Sequence, residues 1–99
     1  MSGSLHHPVY ALFLALLRQR RMACNVYQEE LARRLSVPQS YVSKVETGAR
    51  RIDVVELLRW LDALDVCPDA FVRELHQQMQ SRQILHDLAC GDVSGLDGR

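Results

Sequence analysis

Ninety-nine residues, 47% apolar and 24% charged, make one small globular domain with a modest core. The formal net charge of zero hides a division along the chain. Residues 18–51 hold eight basic side chains against three acidic ones, net +5, and the remainder holds four against nine, net −5. A basic pole on a chain of this size points to a polyanionic partner, such as nucleic acid.

The first seven residues are expected to be disordered, and His6-His7 reads as part of a plain flexible N-terminus. Pro8 is suited to the first position of a helix over residues 8–23. Its apolar run, Val9–Leu17, has the composition of a signal-peptide core. However, the basic cluster follows the run and no small-residue cleavage site stands downstream. Nine residues also fall far short of a bilayer's thickness. The run is therefore expected to be a buried helix of a cytoplasmic protein without membrane association. Asn25 is placed to end this helix in a left-handed conformation.

Residues 28–35 and 39–46 form two short amphipathic patterns. Leu31, Ala32 and Leu35 mark one buried face, and Val42 and Val45 mark the next. Only Ser36-Val37-Pro38 lies between them, so the helices are expected to cross steeply as a helix-turn-helix. If Ser36 takes positive φ in this turn, the cost is about 1 kcal/mol. The other face of the second helix carries Gln39, Ser40, Tyr41, Ser43 and Lys44. These are the donor and acceptor types that read base edges in a major groove.

Gly48 caps this helix in the exit loop. A helix over 54–64 follows, with Val55, Leu58, Leu61 and Trp60 expected to face inward. Cys67-Pro68-Asp69 reads as another helix start. That last helix runs through Phe71, Leu75, Met79, Leu85 and Leu88 to about Gly91, and a flexible tail is expected over 91–99. Cys24, Cys67 and Cys90 are odd in number and far apart, so neither a disulfide framework nor a metal site is expected. They read as buried or half-buried free thiols in a reducing compartment.

The segment resembles the Cro and phage-repressor type of helix-turn-helix domain, the XRE family. Leu17, Arg21, the Gln28–Glu46 core, Gly48 and the 54–66 helix carry the likeness, which covers roughly Val9 to Leu75. Within it, Gln28 opens the second helix, Ala32 is its fifth residue and Val42 is the branched residue inside the third. The resemblance implies an all-α, five-helix, lambda-repressor-like domain over 8–70 with an extended C-terminal helix over 71–90. It implies base contacts from Gln39, Ser40, Ser43 and Lys44, and backbone contacts from Gln28, Tyr41, Arg50 and Arg51. It also implies that Gln28 buttresses Gln39 and that Arg21 and Glu46 form a structural salt bridge.

Two departures from the family stand in the first helix. Arg20 occupies a position usually small or apolar, and Leu12 and Leu16 occupy positions usually polar. An exposed Leu12/Leu16 stripe needs a cover. The C-terminal helix or a second subunit is expected to provide it, with Leu12, Leu16, Phe71, Leu75, Met79, Leu85 and Leu88 at a dimer interface. The expectation is a homodimeric regulator, acting as a repressor on a palindromic duplex, with no cofactor and no enzymatic activity. No nucleophile–base pair or phosphate-binding glycine loop is visible. The alternative is an antitoxin or anti-repressor module whose C-terminal helix binds another protein.

Overall fold

A computed structural model describes residues 8–90, with side chains to 82. Five helices follow one another: α1 (Pro8–Ala23), α2 (Gln28–Leu35), α3 (Gln39–Thr47), α4 (Val54–Ala63) and α5 (Pro68–Cys90). No strand occurs among the described residues. The expected termini, 1–7 and 91–99, lie outside them.

The helix ends have local causes. α1, α2 and α4 each stop at a residue in the left-handed region, Asn25 (φ 60°), Ser36 (φ 59°) and Asp65 (φ 61°). Each is followed by a valine whose N–H reaches back into the helix, Val26 to Arg21 O, Val37 to Ala32 O and Val66 to Leu61 O. This is a Schellman closure made three times, the valine turning inward as the chain reverses. Gly48 (φ 88°) ends α3. α4 begins at a capping box: Asp53 accepts from the Glu56 N–H at 2.8 Å, and the Glu56 carboxylate accepts from the Asp53 N–H at 2.9 Å.

The core is one cluster drawn from every helix, with Trp60, Phe71, Leu16, Leu17, Leu31 and Leu61 at its centre. Each such side chain contributes roughly 1.5–3 kcal/mol by leaving water. α3 packs on α1 and α2, α4 on α2, and α5 on α1 and α4.

Several expectations need correction. Leu16 is 2% exposed and Phe71 1% within a single chain, so neither is available to a second subunit. Phe71 meets Phe13 of α1 edge-on at 6.1 Å, and Leu75 packs against the same core. The cover for the α1 stripe is thus the chain's own α5, with Leu12 and Met79 half-buried. It also follows that α5 starts inside the domain instead of being appended after residue 70. The side chains of Leu85, Leu88 and Cys90 lie outside the described residues.

Val55 and Leu58 do not face inward; they are 63% and 44% exposed. α4 carries two apolar stripes, and the one that buries Leu57, Trp60, Leu61 and Leu64 removes the larger side chains from water. Cys24 and Cys67 are exposed, because both sit in turns between helices. Cys24 Sγ lies 3.4 Å from Leu64 O, bridging the ends of α1 and α4.

Candidate nucleic-acid interface

α3 rotates by about 100° per residue. Val42 and Val45, both fully buried, therefore fix its inner face. The opposite side gathers Gln39, Ser43, Thr47, Ser40 and Lys44, with Gln39, Ser40, Thr47 and Lys44 exposed. The structure thus brings Gln39, Ser40, Ser43 and Lys44 onto one outward face. Thr47 belongs to it as well and was missed, since the helix was expected to end one residue earlier. Its hydroxyl donates to the Lys44 carbonyl at 3.2 Å.

Glu46 lies on one flank of α3, where a carboxylate with three donors ties three helices together. Arg21 Nε donates to Glu46 Oε2 at 2.6 Å, Arg21 Nη2 to Oε1 at 3.0 Å, and Gln28 Nε2 to Oε1 at 2.9 Å. Arg21 Nη1 donates to Val26 O at 2.8 Å, so the buried guanidinium holds the α1–α2 turn as well. Both side chains of the pair are more than nine-tenths buried. A bidentate geometry with further hydrogen bonds to both partners is what keeps such a pair from being a net cost. The network continues outward: Gln28 Oε1 accepts from Gln39 Nε2 at 3.4 Å. The first residue of the outer face is thus linked through Gln28 to the buried carboxylate.

Tyr41 lies on the other flank, turned toward α4. Its hydroxyl donates to Glu56 Oε2 and accepts from Trp60 Nε1, both at 3.4 Å. The Arg50 guanidinium sits 4.8 Å above the Tyr41 ring and pairs with Glu56 Oε2 at 3.0 Å. Arg51 sits 4.0 Å above the ring of Tyr10, at the start of α1. Glu56 was not singled out from the sequence, although the Asp53-x-x-Glu56 spacing is a legible capping signal.

The basic pole is less free than its count. Arg21 is committed to Glu46, Arg33 and Arg34 to Glu30, and Arg50 to Glu56. Glu30 accepts from Arg33 and Arg34, and those bonds hold its carboxyl well down, at about 2. The Arg33 guanidinium is pushed up by the same contact. Arg34 also donates to Ala63 O at 2.8 Å, fastening α2 to the last turn of α4.

Two short helices joined by three residues, the second presenting hydrogen-bonding side chains and a lysine on its outer face, define a DNA-binding helix-turn-helix protein. Comparisons with known proteins agree. A family described as a helix-turn-helix domain matches residues 12–75. Among solved structures, an XRE-family like protein from Pseudomonas syringae pv. tomato str. DC3000 is similar, with 36% identity and a TM-score of 0.70. The alignment covers 78% of this chain and 98% of that one. The wild-type restriction-modification controller protein C.Esp1396I is similar in fold, with 19% identity, a TM-score of 0.68, and coverage of 76% and 97%. The same controller as a tetramer in complex with its natural 35 base-pair operator has a TM-score of 0.67, with 19% identity over 75% and 97%. The curated proteins contain no match. This chain belongs to the XRE-type helix-turn-helix family, and is a DNA-binding transcription regulator. No helix among the described residues is long and apolar enough to cross a membrane.

Proposed function

We propose that the protein is a homodimeric repressor that reads a palindromic operator through α3. The observation that carries the reading is the outer face of α3, whose first residue is tied through Gln28 to the buried Glu46. Gln39, Ser40, Ser43 and Lys44 supply the base contacts, and a Gln amide pairs bidentately with adenine. Gln28, Tyr41, Arg50 and Arg51 supply backbone contacts, which position the domain without specifying sequence. Tyr41 also shares its hydroxyl with Glu56 and Trp60 and lies under the Arg50 guanidinium, so it places Arg50 as well. A single α3 reads too few base pairs for specificity, and two half-sites about one helical turn apart overcome that limit. The operator complex of the similar controller protein supports the use of an assembled form.

The test compares two variants on cognate and scrambled duplexes, the cognate site being selected from a random library. Gln39→Ala should relax preference at one base pair of each half-site, at a cost of about 1–3 kcal/mol. Arg50→Ala should weaken both duplexes to a similar extent. Equal behaviour of the two variants would remove the division between reading and positioning.

A further inference from the structure

Trp60 is enclosed in the core, 1% exposed, yet the acceptor for its indole N–H among the described residues is the Tyr41 hydroxyl at 3.4 Å. That hydroxyl in turn donates to Glu56 Oε2 at 3.4 Å, an oxygen already held by Arg50 at 3.0 Å. Hydrogen bonds of these types settle at about 2.7–3.2 Å for N–H donors and about 2.5–3.0 Å for O–H donors. A buried indole N–H and a half-buried hydroxyl are therefore held by contacts too long to satisfy them, which is costly away from water. Both residues line a cavity of about 280 Å³ between the α2–α3 turn and α4. Leu35, Val37 and the Trp60 ring form its apolar wall, and Tyr41, Arg50, Glu56 and Arg59 supply its polar side.

The polar side selects the chemistry of an occupant. Arg50 and Glu56 neutralise each other, whereas the exposed Arg59 side chain makes no ion pair among the described residues. One cation is thus surplus, on the same wall as an N–H and an O–H that lack a close acceptor. A carboxylate meets all three needs, since it only accepts, carries one negative charge and takes a guanidinium bidentately. A cationic occupant would oppose Arg59, and a neutral one would leave it unpaired. The volume falls at the low end of small-molecule sites, which start at roughly 300 Å³, so the body of the ligand is a single ring. The Tyr41 and Trp60 rings stand 6.2 Å apart, tilted at 58°. A third aromatic ring gains edge-to-face contacts from them that an aliphatic body does not.

We propose that the cavity between the α2–α3 turn and α4 binds a small aromatic monocarboxylate, and that the bound ligand weakens DNA binding. The second half rests on the reading of Arg50 as a backbone contact. A carboxylate in this cavity shares a wall with the Arg50 guanidinium and, like Glu56, competes with phosphate for it. Coupling of this kind is reciprocal, so DNA weakens the ligand by the same factor.

The chain holds one tryptophan, so the Trp60 indole N–H gives a single reporter resonance in proton–nitrogen correlation spectra of the whole protein. Benzoate is the probe, benzamide its uncharged counterpart and cyclohexanecarboxylate its non-aromatic one. Benzoate should shift the indole resonance saturably, with a Kd of about 1 mM or below. The two counterparts should each bind about 10-fold more weakly. Arg59→Gln, at an exposed site and checked for folding by circular dichroism, should lose about 10-fold in benzoate affinity and nothing in benzamide affinity. Absence of a saturable shift at concentrations tenfold higher overturns the site. So does equal binding of either counterpart, or benzoate affinity unchanged in Arg59→Gln. The second half is read by anisotropy of a labelled duplex at constant ionic strength. Saturating benzoate should weaken duplex binding several-fold in wild type and leave Arg59→Gln unaffected. Duplex affinity indifferent to bound benzoate overturns the regulatory half. A chain that binds benzoate but no duplex at any salt concentration upholds the site and removes the DNA reading instead.

Discussion

Glu46 shows how one residue serves both stability and the reading face. Its carboxylate accepts three hydrogen bonds, two from Arg21 and one from Gln28, in a buried site between α1, α2 and α3. Removing it strands the Arg21 guanidinium away from water, and breaking a buried pair in this way costs about 3–5 kcal/mol. That is a large share of what holds a small domain together. Glu46→Ala should therefore melt at a markedly lower temperature in the absence of DNA. Glu46→Gln should recover part of the loss, since the amide oxygen still accepts. An unchanged melt in Glu46→Ala would mean that the three helices are held by apolar packing alone.

At the scale of helices, local chemistry decides where each begins and ends. Ser36 occupies the left-handed region with a Cβ that disfavours it, at about 1–2 kcal/mol. Ser36→Gly removes that cost but enlarges the freedom of the unfolded chain. The net gain should be a few tenths to about 1 kcal/mol, read as a rise in melting temperature of up to roughly 4–8 °C. A fall would show that the Ser36 side chain makes a compensating contact. The Glu30 cluster gives α2 a pH signature. Its carboxyl drops from an ordinary 4.5 to about 2 because it accepts from Arg33 and Arg34. A lowered folded pKa stabilises at pH values above 4.5 and the contribution is lost as pH falls from there toward 2. The melting-temperature gap between wild type and Glu30→Gln should accordingly be full at neutral pH and close across that window. A gap independent of pH would assign the effect to something other than the carboxylate charge.

The same local chemistry explains what was legible before the structure. Pro8, Pro68, Asn25 and Gly48 are residues whose backbone preferences mark helix ends, and α1 lies at the residues that Pro8 and Asn25 imply. Val42 and Val45 fixed the inner side of α3, so four of its outer-face residues could be named in advance. Periodicity failed where apolar residues exceed what one face can bury. In α4, Val54, Val55 and Leu58 compete with Leu57, Trp60 and Leu61, and only packing against α2 and α5 decides. In α1, Leu16 looked surplus because no local rule says that α5 returns across it. Glu56 was missed because its role is assembled from residues on three elements: Asp53 at the cap, Tyr41 on α3 and Arg50 in the loop.

For the whole molecule, electrostatics turns on how much of the basic pole remains available to a polyanion. Four of its eight cations are already paired with carboxylates, so affinity should depend on salt less steeply than the count implies. Arg50 is the informative case. Glu56 Oε2 holds it at 3.0 Å while Oε1 closes the capping box of α4, so a negative charge sits beside the proposed backbone contact. Glu56→Gln removes the charge and keeps an oxygen at the third helical position, where Gln also completes a capping box. Stability should change little. Phosphate then no longer competes with a carboxylate for Arg50, so this contact neutralises more fully, a full phosphate contact being worth about 0.9 in the slope of log affinity against log salt. Binding of Glu56→Gln to a scrambled duplex, followed by fluorescence anisotropy across a salt series, should be several-fold tighter at low salt, with the advantage shrinking as salt rises. Affinities that match wild type at every salt concentration would place Arg50 away from the DNA and leave the backbone contacts to Gln28, Tyr41 and Arg51.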